Sequence, residues 1–215
     1  MGLDLLVEGC AKPGFESEWR HLLERSFAGG EPSETDIARF QEISIPGHER
    51  IGAPRVGFDG TADAWIIERQ NAKSPEEVAA VLKEFHGYYV LRLVKCDGVP
   101  DYSNSGLYNE VDETSFRGAF LNDCRDVLDE HLLDDAWNSK LPEAAVSYGQ
   151  ALLAAGDAAQ AAGLSQQPRR TFLSRIGLAK TVAPVATAEQ LDIVRAAGRW
   201  FIFWGERGHA IRAWF

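Results

Sequence analysis

Cysteine is scarce in this chain, and its arrangement excludes more than its number does. Cys10, Cys96 and Cys124 are the three present, and no two of them form a CxxC pair. An odd count without paired spacing supports neither a disulfide framework nor a zinc knuckle. Reduced thiols in a cytoplasmic setting are the expected state. Long apolar runs are missing as well: no stretch approaches the ~18 uninterrupted apolar residues that a membrane-crossing helix needs. The opening residues, MGLDLLVEGC, carry Asp4 and Glu8 where a secretory signal requires positive charge and then an apolar run. Leu6 stands where a myristoylation site requires Ser or Thr.

Positive charge is also short. Lys and Arg total 22 against 32 Asp and Glu, a formal net charge of −10. That balance repels nucleic-acid backbones and anionic membranes, so neither is expected as a partner. The only long acid-free stretch runs from Ala158 to Ala188 and carries Arg169, Arg170, Arg175 and Lys180. Phe172 is the one aromatic among them, too little interleaving for a nucleic-acid surface; the stretch reads as a face that pairs with acids of the same protein. Local catalytic signatures are absent too. There is no GxSxG elbow, no SxxK with KTG, no P-loop and no GxGxxG. The five histidines form no HxH, HExxH or His–Cys cluster of the kind that binds zinc.

What the chain does have is core material. Apolar residues make up 45% of its 215 residues, with six Trp and eleven Phe, which a disordered chain would not carry. Leu3–Val7 reads as a first strand. Phe15–Phe27 reads as an amphipathic helix, with Phe15, Trp19, Leu22 and Leu23 on one face. Ser33 with Asp36 caps a second helix, and Ser74, Pro75 and Glu77 form a capping box and first turn for another, which Gly87 ends. ADAWIIERQ is ambiguous between helix and strand. The β-rich run YYVLRLV, Tyr88–Val94, reads as a central strand. Glu113 to about His131 has helical spacing, with Phe116, Phe120, Cys124, Val127, Leu128 and His131 on one face. A further helix starts near Pro142 and ends near Gly156–Asp157. The closing RWFIFW-GERG-HAIRAWF carries the signal of a hairpin. Strands at the start, middle and end of the chain imply one α+β domain over residues 1–215, helix-rich, with a small and mostly antiparallel sheet.

Three features invite a chemical reading. DYSNSGLYNEVD, Asp101–Asp112, has near-calcium-loop spacing. Asp101, Ser103, Ser105, the Leu107 carbonyl, Asn109 and Asp112 would be the oxygens, with Gly106 at the bend. Against it, two of the ligand places hold neutral serines, Asp112 is shorter than the usual chelating Glu, and Pro100 excludes the entering helix. Asp112 is also placed to cap a helix starting at Glu113. The other reading is a polar connection whose Asp, Ser and Asn side chains bond their own backbone. Asp59-Gly60-Thr61 resembles the end of the haloacid-dehalogenase motif D-x-D-G-T, but Gly57 occupies the nucleophile position, so the stretch reads as a turn. Asp123, Asp126, Glu130 and Asp134 read as a solvated helix face.

His48, in the Gly- and Pro-spaced loop SIPGHERIGAPRVGFDGT, is the histidine best placed for function, since functional groups gather on loops. The resulting expectation is a cytoplasmic, non-catalytic binding or interaction protein with no cofactor, partnered by another protein or by its own copy. The alternative is an enzyme, such as a divalent-metal-assisted hydrolase, using calcium or another divalent metal. Its site would be assembled from His48, Asp59 and the Asp101–Asp112 loop.

Overall fold

The computed structural model describes residues 2–103, 107–165 and 186–215. The chain opens with β1 (Asp4–Val7) and β2 (Cys10–Ala11). Helix α1 (Glu16–Phe27) buries Trp19 and Leu23, and α2 (Glu34–Ile43) begins on the Ser33–Asp36 capping box. A two-residue strand β3 (Ser44–Ile45) leads through Pro46 into the single turn α3 (Gly47–Arg50). Helices α4 (Gly60–Arg69) and α5 (Pro75–Glu84) follow, α5 on the Ser74–Glu77 capping box with Pro75 in its first turn. After a 3-10 turn at Leu91–Leu93 come α6 (Leu107–Val111), β4 (Ser115–Phe116), a 3-10 segment Gly118–Cys124 and α7 (Glu130–Asp135). Two long helices, α8 (Pro142–Ser165) and α9 (Ala188–Glu206), precede the last strand, β5 (Ile211–Trp214).

The main sheet has the order β4-β1-β5, with both pairs antiparallel. Leu5 sits opposite Phe116 on one side and Ala213 on the other, so the start, middle and end of the chain meet at one residue. β2 pairs with β3 in a separate two-stranded ladder, Cys10 opposite Ile45. The fold is therefore helix-rich α+β with a small antiparallel sheet, as the sequence leads one to expect. Leu3, Leu5 and Phe116 pack with Trp200, Phe201 and Trp204 in the main core. Val56, Ala62, Ile66, Phe85, Val90 and Val111 form a second cluster under α4 and α5. A third, between α1 and the end of α2, holds Trp19, Leu23 and Ile43. Among the described residues no helix is long and apolar enough to cross a membrane.

Four elements differ from expectation, each for a physical reason. The central strand is Ser115–Phe116 and not Tyr88–Val94. In the latter only Tyr89 makes a ladder contact, an isolated bridge to Arg55. Val90 N–H reaches the Pro54 carbonyl at 2.7 Å, but proline has no N–H with which to extend the ladder. The chain then turns back on itself, Leu93 N–H to Val90 and Val94 N–H to Leu91.

The stretch from Glu113 to His131 is not one helix. Its apolar residues Phe116, Leu121, Cys124 and Leu128 are buried, but through a strand, a 3-10 segment and the turn that follows it. Gly118 explains the tight backbone there: a Cβ on it would lie 2.7 Å from Leu3 Cγ. His131 is exposed on α7 and does not join the core.

The closing hairpin is instead the end of α9 followed by one strand. Ile193, Ala197, Trp200, Phe201 and Trp204 continue one helical stripe across the aromatic run, all of them buried. Gly205 stays helical because it lies against α8; a Cβ there would meet the Pro142 carbonyl at 2.7 Å. Gly156–Asp157 does not break α8, which runs on to Ser165. The ambiguous ADAWIIERQ is helical, within α4. The basic residues Arg169, Arg170, Arg175 and Lys180 lie outside the described residues.

Candidate functional site

A cleft of about 420 Å³ opens between β1, the junction of α2 with β3 and α3, and the segment Asp112–Ser115 that leads into β4. Two glycines let its walls draw together. A Cβ on Gly9 would come within 2.8 Å of Ser44 Cβ, and one on Gly47 within 3.0 Å of the Trp204 ring. Pro46, at φ −60°, fixes the entry to α3 and so aims His48 at the cleft's edge.

His48 is half-buried, and its ring lies against Tyr89 with centroids 4.3 Å apart. Tyr89 is pinned at both ends. Its N–H donates to Asp112 Oδ1 at 3.0 Å, and its hydroxyl donates to Glu49 Oε1 at 3.2 Å. The Arg55 guanidinium lies 5.2 Å from the Tyr89 ring and 4.5 Å from Phe58. Arg55 itself is fixed by a 2.7 Å bond from Nε to the Gly87 carbonyl. Burial pushes the His48 imidazole below its ordinary value; the Asp112 and Glu49 carboxylates oppose this, and Arg55 adds to it. His48 is consequently a neutral hydrogen-bonding group at pH 7.

The inner wall is polar. Ser44 is only 7% exposed, and its Oγ has no hydrogen-bond partner among the described residues. Ser115, 8% exposed, donates to Glu113 Oε2 at 3.3 Å. Leu6, Val7 and Phe40 supply an apolar side. No Lys or Arg lines this cleft among the described residues, while Asp112 and Glu113 both do. The arrangement suits a small ligand that donates hydrogen bonds or carries positive charge, with an apolar flank.

The sequence-derived candidates divide. His48 and Asp112 meet in this cleft. Asp59 does not join them: it caps α4, accepting from Thr61 N–H at 2.9 Å and Thr61 Oγ1 at 2.5 Å, bonds that hold its carboxyl below the usual range. Asp101 lines a different cleft, beside Cys96 and Arg199. Ser103 is half-buried, Asn109 lies within α6, and Ser105 and Gly106 lie outside the described residues. Asp112 is not the cap of a following helix. It comes at the end of α6, its N–H bonded to the Tyr108 carbonyl at 2.8 Å, and its carboxylate serves Tyr89 instead.

Sequence reasoning missed Ser44, Glu113 and Ser115. The signal available was the run Asp112-Glu113-Thr114-Ser115, four polar residues where a buried helical stripe should begin.

The two end carboxylates of the calcium-like loop, Asp101 and Asp112, thus face separate clefts, and Leu107–Val111 is wound as helix. Among the described residues no three His, Cys, Asp or Glu side chains gather as a metal site. Millimolar calcium is therefore expected to leave the melting temperature unchanged. A rise that saturates with calcium would overturn this, because a ligand specific to the folded state must raise it. No protein-family model, curated protein or solved structure gives a match to the chain.

Proposed function

We propose that this is a non-catalytic binding protein that takes a small, donor-rich ligand in the His48–Asp112 cleft. The observation that carries the reading is Ser44. A buried hydroxyl without a partner is disfavoured in a folded protein, and here it stands on the wall of a cleft already lined by two carboxylates and a neutral imidazole. A ligand N–H or ammonium group supplies what the wall lacks. The three free thiols, Cys10, Cys96 and Cys124, support a cytoplasmic setting.

A hydrolase would also bring a histidine, a carboxylate and hydroxyls together, and His48, Asp112, Ser44 and Ser115 do share one cleft. It would further need the base bonded to a nucleophile and oriented by a third group. Among the described residues His48 makes no such bond, and the hydrogen bond that Asp112 accepts comes from Tyr89 N–H and not from the imidazole. Binding is the reading that uses the groups as they stand.

The test is chemical-shift mapping with butylammonium and butyrate as matched probes. Butylammonium should move the amide signals of Ser44, Gly47 and Asp112–Ser115 selectively. Glu113→Gln, which removes charge without volume, should weaken this roughly tenfold. Equal response to butyrate, or no response at these amides, would sink the proposal.

A further inference from the structure

On the far side of β4 lies a second cleft, of about 220 Å³, where cations join the acids in the lining. Successive strand residues face opposite ways, so Ser115 lines the first cleft and Phe116 the second. The loop from Arg92 to Asp101 forms one wall, and Arg199 and Trp200 of α9 form the other.

Trp200 is the informative residue. Three tryptophans are at least 95% buried: Trp19, Trp200 and Trp204. Trp19 Nε1 donates to the Gly9 carbonyl at 2.7 Å and Trp204 Nε1 to the Gly98 carbonyl at 3.0 Å. Trp200 Nε1 is buried and has no partner among the described residues. An indole N–H is a donor only, so what it lacks is an acceptor. The cleft it lines is bordered by Lys95 and Arg199, neither of which has a carboxylate within ion-pair distance among the described residues. Arg92 adds a third cation, shared with Glu110 at 3.5 Å. Asp97 and Asp101 also line the cleft and limit how much negative charge it accepts. With Arg92 shared with Glu110, Lys95 and Arg199 stand against Asp97 and Asp101, and beside these charges a buried donor lacks an acceptor among the described residues.

We propose that this second cleft is an oxyanion site. It takes the phosphate or carboxylate group of a small ligand, with Trp200 Nε1–H as the buried donor and Lys95 and Arg199 as the charged rim. It is independent of the first cleft, which favours positive charge. Lys95 and Arg199 are exposed, so replacing them leaves the core intact.

The experiment follows indole N–H signals by ¹H–¹⁵N NMR, with the Trp200 signal assigned by its loss in Trp200→Phe. Inorganic phosphate and acetate are titrated separately into the millimolar range, with sodium chloride holding ionic strength constant. The Trp200 signal should move with saturation while the other indoles stay. The double variant Lys95→Gln/Arg199→Gln should weaken that response at least about tenfold. A response to phosphate alone assigns a phosphate ligand, and one to acetate alone a carboxylate; either supports the site. If neither anion moves the Trp200 signal, or if the double variant responds like the parent, the site does not exist.

Discussion

Gly149→Ala should destabilise the protein by about 3 kcal/mol, while Gly156→Ala, on the same helix, should stabilise it by up to about 1 kcal/mol. Both are glycines inside α8. Intrinsic propensity favours alanine at each, because glycine gives up more backbone freedom on entering a helix. The neighbours decide the difference. A Cβ on Gly149 would sit 2.6 Å from the Gly198 carbonyl oxygen and 3.0 Å from Phe201 Cβ. Its reciprocal, a Cβ on Gly198, would sit 2.9 Å from the Gly149 carbonyl oxygen. Two backbones are in contact there, and neither can yield as a side chain could. The helices would have to separate, loosening Trp200, Phe201 and Trp204 in the main core. At Gly156 the nearest atom is Val194 Cγ1 at 3.6 Å, an ordinary contact. Urea melts would read both changes as opposite shifts of midpoint at constant slope. Equal signs would show that α8 and α9 do not cross at Gly149. Gly149→Ala and Gly198→Ala disturb one crossing, so the double variant should cost less than the sum.

That crossing also marks where the sequence stops being legible. Local signals were readable: the Ser33–Asp36 and Ser74–Glu77 caps each satisfy a helix end within a few residues, and both are found where the sequence puts them. The strands at both ends of the chain were readable from their apolar runs. Tyr88–Val94 misleads because β-propensity reports how a residue suits a half-buried pleat, and Pro54 denies this segment the partner strand it would need. Glu113–His131 misleads because Phe116, Leu121, Cys124 and Leu128 serve the core equally well on a strand, a 3-10 segment and a turn once Gly118 lets the chain run against Leu3. The candidate site shows the same division. His48 and Asp112 could each be picked out from loop position and residue type. Their sharing a site could be raised only as an alternative that also included Asp59, because it depends on the Tyr89 contacts that join α3 to the end of α6. Ser44 was invisible for a similar reason: a serine after a helix reads as a turn residue until its burial is known.

Acid should unfold this protein early, through His209. That residue is fully buried, with its ring edge-on to Trp204 at 5.1 Å. Its Nδ1 lies 2.8 Å from the Glu8 carbonyl, which can only accept, so Nδ1 carries the proton and Nε2 presents a lone pair. Protonating Nε2 would bury a charged N–H that has no acceptor among the described residues. Burial, helped by the nearby positive charges of Arg50 and Arg207 and opposed by the Glu8 carbonyl, lowers its pKa from 6.5 to about 4. The folded value lies below the unfolded one, so the unfolded chain takes up the proton first. Stability is complete above pH 6.5 and falls as the pH drops toward 4, by roughly 3 kcal/mol at the lower end. His48, also lowered, adds loss of the same sign, and carboxylates such as Asp36 and Glu77 add theirs only at lower pH. Urea midpoints measured above about pH 5 therefore isolate the histidines. The parent should lose stability steadily through that window, and His209→Gln should flatten most of the slope whatever its stability at neutral pH. An unchanged slope in His209→Gln, or an imidazole that titrates near 6.5 by NMR, would mean that His209 reaches solvent or an acceptor in the folded protein.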